Sequence, residues 1–258
     1  GITRQAYYKR CKALYVKTCH EQQVLSFVRK QRMKHPRMGA RKLLYLMKQS
    51  ALHIGRDHLF AVLKVNRLLV PTKRAYHRTT QSLHRFYKHP NLIKDGINLT
   101  RPEQLWVADI TYLPTHEGET YLSLVTDAYS RKIVGYYLAD NLKTEDVKRA
   151  FNKALLCRKS NLALIHHSDR GIQYCSNDYQ QVHQNHGITC SMTDGYDCYQ
   201  NALAERVNGI LKNEYLLMKP NNLNEAREMV IQSIDLYNQQ RPHSALKYKT
   251  PDEIHQAF

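Results

Sequence analysis

The sequence predicts a mixed α/β domain built on a five-stranded sheet and preceded by a smaller, basic, all-helical region. Three observations carry that expectation. Residues 105–138 hold three successive strand-like runs, and from Thr144 onward helical and strand-like runs alternate, the order of a mixed sheet covered by helices. Residues 39–66 hold two short stretches whose apolar residues recur at helical spacing. Charge is unevenly divided: 39 Lys and Arg stand against 22 Asp and Glu, and most of the +17 excess lies in residues 1–100.

The opening segment ITRQAYYKRC is basic and aromatic, and Glu21 to Met33 has the pattern of a helix, so residues 1–34 read as an N-terminal helical arm. Gly39 to Gln49, lined by Leu43, Leu46 and Met47, and Arg56 to Asn66, lined by Leu59, Val62 and Leu63, follow as an amphipathic pair joined by SALHIG. Residues 35–75 are therefore expected to be helix-turn-helix-like, the second helix offering Arg56, His58 and Lys64 to DNA; a plain helical hairpin with a solvated basic face is the ordinary alternative. Residues 76–100, polar, basic and broken by Pro90 and Gly96, read as a linker.

The core is expected over 101–218. Leu105 to Pro114, Thr120 to Ala128 and Lys132 to Leu138 read as strands, Thr144 to Cys157 as a helix, Leu162 to His167 as a strand, Asp178 to His186 as a helix and Gly187 to Ser191 as a last short strand. Asn201 to Leu217 reads as a helix with Ala202, Leu203, Val207, Ile210 and Leu211 on its apolar side, and residues 219–258 as a C-terminal helix and arm. The loop from Thr193 to Gln200 is a candidate for ordering on DNA.

Three acids stand out within these elements: Asp109 in WVADITYL, Asp169 in HSDRGIQY and Glu205 in NALAERVNGILKNEY, with 59 and 35 residues between them. Singly, each has an ordinary reading: an edge-strand Asp facing water, an Asp closing a turn, a solvated helical Glu. Jointly they suit a pair of Mg²⁺ ions roughly 4 Å apart, held by hard oxygen ligands from separate elements for phosphoryl transfer. Asn201, Asn208 and Lys212 share the helix face of Glu205 at offsets of −4, +3 and +7, a set suited to a metal and a phosphate backbone. Asp127, at a strand end, is expected to serve a turn.

These segments resemble the catalytic core of DDE transposases and retroviral integrases, an RNase H-like fold. WVADITYL, HSDRGIQY, the 35-residue gap to Glu205, Lys212 seven residues later and the tail YNQQRPHSALKYKTP look, more narrowly, like the second-frame (OrfB) protein of bacterial insertion sequences with two overlapping reading frames. The resemblance covers nearly the whole chain. It implies that Asp109, Asp169 and Glu205 are a metal-binding catalytic triad for two Mg²⁺ ions, with Mn²⁺ able to substitute, and that Lys212 contacts element-end DNA. It further implies double-stranded DNA as partner, both terminal inverted repeats and target, a homo-oligomer of at least two copies on that DNA, the first-frame (OrfA) product as a further partner, and a cytoplasmic setting on the bacterial nucleoid. Arg241 and His243 in the tail are expected either to touch DNA or to shape an arm packed on the core. One departure is Gln200, where many relatives carry an acid before the Asn-Ala pair; neither Asp194 nor Asp197 is expected to replace it as a ligand.

The basic balance and 18 tyrosines fit a polyanionic partner without selecting an activity. A catalytically silent DNA-binding regulator and a nuclease that degrades without joining strands both stay open. The six cysteines contain no CxxC pair, and His183, His186 and Cys190 lack a fourth ligand at zinc spacing, so neither a disulfide scaffold nor a zinc module is expected. No apolar run reaches membrane length.

Overall fold

The computed structural model describes residues 2–71, 85–194 and 201–257. The chain divides into two compact units, residues 1–73 and 74–258.

The first unit holds α1 (Arg4–Lys34), α2 (Ala40–Gln49) and α3 (Arg56–Val65). α1 is much longer than the helix expected over Glu21 to Met33. Neither Gly nor Pro occurs between Arg4 and Lys34, the Thr3 hydroxyl accepts from the Ala6 N–H at 3.3 Å, and the helix stops at His35, where the following Pro36 disfavours helical backbone. Only Val24, Leu25 and Val28 of α1 are buried, packing with Leu43 and Met47 of α2 and Leu59 and Leu63 of α3. The preceding turns leave Tyr7, Tyr8, Leu14 and Tyr15 exposed.

The second unit is a five-stranded mixed sheet in the order β3-β2-β1-β4-β5, formed by β1 (Leu105–Thr115), β2 (Gly118–Asp127), β3 (Ile133–Ala139), β4 (Ile165–Ser168) and β5 (Thr189–Met192). β1, β2 and β3 make an antiparallel meander with Trp106 opposite Asp127 and Thr115 opposite Gly118. β4 and β5 add in parallel on the other side of β1. Parallel addition needs crossovers. α4 (Thr144–Cys157) provides one; the short α5 (Ile172–Cys175), absent from the sequence reading, and α6 (Asn177–Asn185) provide the other. α7 (Ala202–Ile210), a π-helical turn (Leu211–Tyr215), α8 (Leu223–Gln239) and α9 (Pro251–His255) complete the unit. Of the 76–100 segment, residues 76–84 lie outside the described residues, as does most of the 193–200 loop. Among the described residues, no helix is long and apolar enough to cross a membrane.

Side chains alternate along β1 and so feed two cores. Trp106 and Ala108 join Phe151, Leu164, Tyr174 and Tyr179 on the α4–α6 side, whereas Leu113 joins Leu122, Leu124, Val207, Val230 and Tyr237 under α7 and α8. Asp127 is fully buried at the end of β2, where its carboxylate accepts from the Glu103 N–H and from both the N–H and hydroxyl of Ser130, all within 2.8 Å, closing the turn into β3. Gly135 on β3 lets α4 lie against the sheet: a Cβ there would overlap the Ala150 carbonyl oxygen and stand 2.8 Å from the Ala154 Cβ. Gly135→Ala should therefore destabilise the fold by about 1–3 kcal/mol, read as a lower denaturation midpoint, because overpacking forces backbone shifts.

The α4–α6 core also encloses two histidines. The Tyr179 hydroxyl donates to His166 Nε2 at 3.4 Å, His166 Nδ1–H donates to His183 Nε2 at 3.1 Å, and His183 Nδ1–H donates to the Tyr179 carbonyl at 2.9 Å, an assignment of neutral tautomers that satisfies every partner. Burial holds His166 well below the ordinary histidine value and lowers His183 to about 4. Both depressed values make the unfolded chain the better proton acceptor, so their contribution is complete above the unfolded value near 6.5 and is lost as pH falls toward 4. For His183 alone the loss between pH 7.5 and pH 5 should be about 2 kcal/mol, and His183→Gln should flatten the pH dependence of the denaturation midpoint.

Candidate active site

The three acids arrive from three elements, and sheet topology accounts for their meeting. β4 lies parallel beside β1 with Val107 opposite His167, so two residues further along each chain Asp109 comes level with Asp169, just past the end of β4. Asp109 follows Leu105 and Val107 on the sheet face covered by Ala204 of α7, and Glu205 is the next residue of that helix.

Asp109 is half-buried, and its Oδ2 accepts from Asn208 Nδ2–H at 2.7 Å. Burial, then the Asp169 charge, then more weakly Glu205, push its carboxyl up to about 8 against the opposing effect of the Ile110 N–H and Asn208. Glu205 is exposed, and its carboxyl is raised by partial burial and by Asp169. Asp169 Oδ1 accepts from the Gly171 N–H at 3.0 Å, and a Cβ on Gly171 would press to 3.0 Å on that same oxygen. The half-buried Lys212 amine is lowered by burial, while Asp109 acts on it in the opposite direction. Among the described residues no three acidic, His or Cys side chains are close enough to close on one ion as they stand. The acids thus share one electrostatic site without forming a closed cage.

Asn201 and Asn208 depart from expectation. Helical spacing suits them to a metal and the phosphate backbone of DNA, yet both are buried, Asn201 donating to the Ala108 carbonyl at 2.9 Å and Asn208 to Asp109. They stitch α7 to β1 on either side of Glu205. Helical spacing placed them correctly on the face of Glu205 but could not say that this face meets a strand. Tyr174 was missed entirely: its ring is buried, its hydroxyl has no partner among the described residues, and burial, then Tyr179, then the Asp169 and Asp109 charges raise its phenol well above the ordinary value. A Tyr after GIQ carries no signal that separates it from core.

The integrase core domain family matches residues 100–198, and a second integrase core domain family matches 186–251. The insertion element IS600 31 kDa protein of Shigella sonnei is 37% identical over 85% of this chain and 82% of its own length. The transposase for insertion sequence element IS904 of Lactococcus lactis is 35% identical over 69% of this chain and 70% of its own. The chain belongs to the integrase-core family of DDE transposases. The transposase also shares the RNase H-like fold with a chain of the simian T-cell lymphotropic virus intasome bound to PP2A regulatory subunit B56 gamma, at TM-score 0.52 and 18% identity over 82% of this chain and 73% of that one.

The transposase carries its other expected contact residues on elements other than those that bear the three acids. Arg241 and His243, expected at DNA or in an arm packed on the core, are buried: Arg241 makes a two-point ion pair with Glu214 and meets His243 Nε2 at 2.9 Å. Arg56 and Lys64 are exposed on α3, Arg56 beside Asp57 at 2.8 Å, whereas His58 Nε2 is engaged by Glu21 Oε1 at 2.9 Å. His183 belongs to the buried ring above, and the Cys190 thiol donates to Gln180 Oε1 at 3.0 Å.

Placing like charges together costs the ion-free fold stability. Because the folded value of Asp109 lies above its ordinary 3.8, that cost is absent in acid and grows as pH rises from about 3.8 to about 8. In ion-free buffer at pH 8.5, Asp109→Asn should unfold at a higher temperature than the parent, by the equivalent of about 1–3 kcal/mol, and the difference should vanish near pH 4. Calorimetry at the two pH values checks it.

Proposed function

We propose that this transposase cuts the ends of its own mobile element and joins them to target DNA, with Asp109, Asp169 and Glu205 as the catalytic triad. One observation carries the reading: acids from β1, from the end of β4 and from α7 share one electrostatic site in which Asp109 is driven to about 8. An uncompensated carboxylate of this kind calls for a cation, and the donor set, hard oxygens alone, suits two Mg²⁺ ions, with Mn²⁺ able to substitute. Bound there, such ions supply an activated water and charge neutralisation at the phosphodiester.

The chain's own residues divide the remaining work. Asn208 and the Ile110 N–H hold the Asp109 carboxylate, the Gly171 N–H holds that of Asp169, and Asn201 keeps α7 seated on β1. Lys212 would set a phosphate of the element end beside the acids. Hydrolysis breaks the P–O3′ bond at that end and leaves a 3′-hydroxyl. This hydroxyl then attacks a target phosphodiester and displaces its O3′, with one bond made for each broken and no covalent enzyme intermediate. In the first unit, α2 and α3 act as a helix-turn-helix with Arg56 and Lys64 facing DNA; His58, held by Glu21, contributes less. The basic charge gives DNA affinity that falls with log salt at a slope of about −0.9 per phosphate contacted. The working form is at least a dimer on double-stranded DNA in the bacterial nucleoid, with the first-frame product as a further partner. The relative from Lactococcus lactis is named for transposing its own insertion sequence, which supports element DNA as the substrate.

The test is strand transfer with a labelled element-end duplex and Mg²⁺, comparing the parent with Asp169→Asn. Joined products should form with the parent and fall by at least about a thousandfold in the variant, while DNA affinity in the absence of ions stays within about threefold. Cleaved but unjoined products would instead identify a nuclease, and DNA binding with no cleavage in either protein would identify a regulator.

A further inference from the structure

In the tail motif YNQQRPH, Tyr237, Asn238, Arg241, Pro242 and His243 are buried while Gln239 and Gln240 are exposed. Tyr237 donates its hydroxyl to the Arg131 carbonyl at 2.9 Å, and Asn238 makes paired 3.0 Å bonds with the backbone N–H and carbonyl of Ile133, so the end of α8 is locked to the start of β3. From that anchored end Arg241 turns inward. Its Nε and Nη2 donate to Glu214 Oε2 and Oε1 at 2.8 and 2.7 Å, its Nη1 meets His243 Nε2 at 2.9 Å, and its guanidinium lies 5.8 Å from the Tyr237 ring centroid. Such a planar two-point pairing fixes orientation as well as distance.

Glu214 sits in the π-helical turn Leu211–Tyr215, which closes with the Leu216 N–H donating to the Leu211 carbonyl at 2.9 Å. Lys212 occupies the same turn. Lys212 comes within range of the Asp109 charge, whereas Glu214 meets Arg241. The turn thus presents a cation to the acids on one side and an anion to Arg241 on the other. A π turn carries one residue more than an α turn, has poorer intrinsic geometry and persists where surrounding structure holds it. A buried ion pair adds little net stability over an apolar pair of similar volume, so its presence here fits a role in fixing geometry.

We propose that Arg241, through its two-point ion pair with Glu214, is a positioning residue that holds the π-helical turn in register and thereby sets Lys212 beside Asp109, Asp169 and Glu205. The proposal rests on the strand-transfer reading for the role of Lys212, and the experiment separates the two. In the full chain, Arg241→Met is combined with Glu214→Leu to replace the ion pair with apolar packing, and Arg241→Lys tests whether charge without the fork suffices. The apolar double variant should melt within a few degrees of the parent, yet lose strand transfer at least about tenfold and exchange the Leu216 amide hydrogen at least about tenfold faster, with β1 and β4 amides unchanged. In a Lys212→Ala background the same double substitution should cost less than about twofold, since its effect passes through Lys212. Parent-like strand transfer with parent-like Leu216 protection in the apolar variant would overturn the proposal, as would losses that multiply with that of Lys212→Ala. If the parent itself joins no DNA, the strand-transfer reading has failed, and Leu216 exchange alone decides: unchanged protection overturns the positioning role, and selective loss of protection upholds it.

Discussion

The parallel pairing of β1 with β4 is the constraint on which the rest of this molecule turns. It brings Asp109 of the central strand level with Asp169 just past the end of β4, where two like charges in a partly desolvated setting oppose each other. The surrounding residues answer that cost. Asn208 and the Ile110 N–H donate to Asp109, the Gly171 N–H donates to Asp169, and Lys212 brings a positive charge within range. None of these cancels it, since Asp109 still stands near 8. Stability is spent locally to keep negative charge where a reaction can use it, and two extensive cores on either side of the sheet make that tolerable.

The opposite face of the sheet bears on the same point. Tyr174 belongs to the aromatic core of Phe151, Tyr179 and the two buried histidines, yet its phenol lies in range of both aspartate charges. In that core the Tyr179–His166–His183 ring pairs the polar atoms of its members, whereas the Tyr174 hydroxyl and Trp106 Nε1 have no partner among the described residues. A wall of this kind has few alternative arrangements, so β1 around Asp109 is backed by side chains the chemistry never touches.

What was legible in the sequence follows from which signals are local. Alternation of apolar residues with isolated acids located the strands and placed Asp169 at the end of β4, whereas Asp109 lies mid-way along β1; helical periodicity put Asn201, Asn208 and Lys212 on the face of Glu205. The direction of that face was not legible. Asn201 and Asn208 look like solvent-facing amides in a linear reading, and only the packing of α7 on β1 turns them into internal clamps. For Arg241 the linear reading could not choose between DNA and an arm packed on the core, because its partner Glu214 lies 27 residues away in the chain. The π turn also escaped, because one extra residue in a helix leaves periodicity almost unaltered. The long reach of α1 was missed because its first turns lack an apolar face buried within this unit, the signal on which helix recognition chiefly rests.

Charge arithmetic at the site leads one step further. Three carboxylates and one lysine leave a net negative charge in a setting that screens poorly, and a DNA phosphate carries the same sign. Lys212 alone cannot reverse that balance, and burial already weakens its hold on its proton. On the proposed reading, DNA therefore cannot settle at the acids before cations do, and cations gain affinity from the phosphate they share. The positive charge of residues 1–100 lies largely apart in sequence from the three acids. On that reading the acidic cluster withholds reaction until the ions that complete it are present.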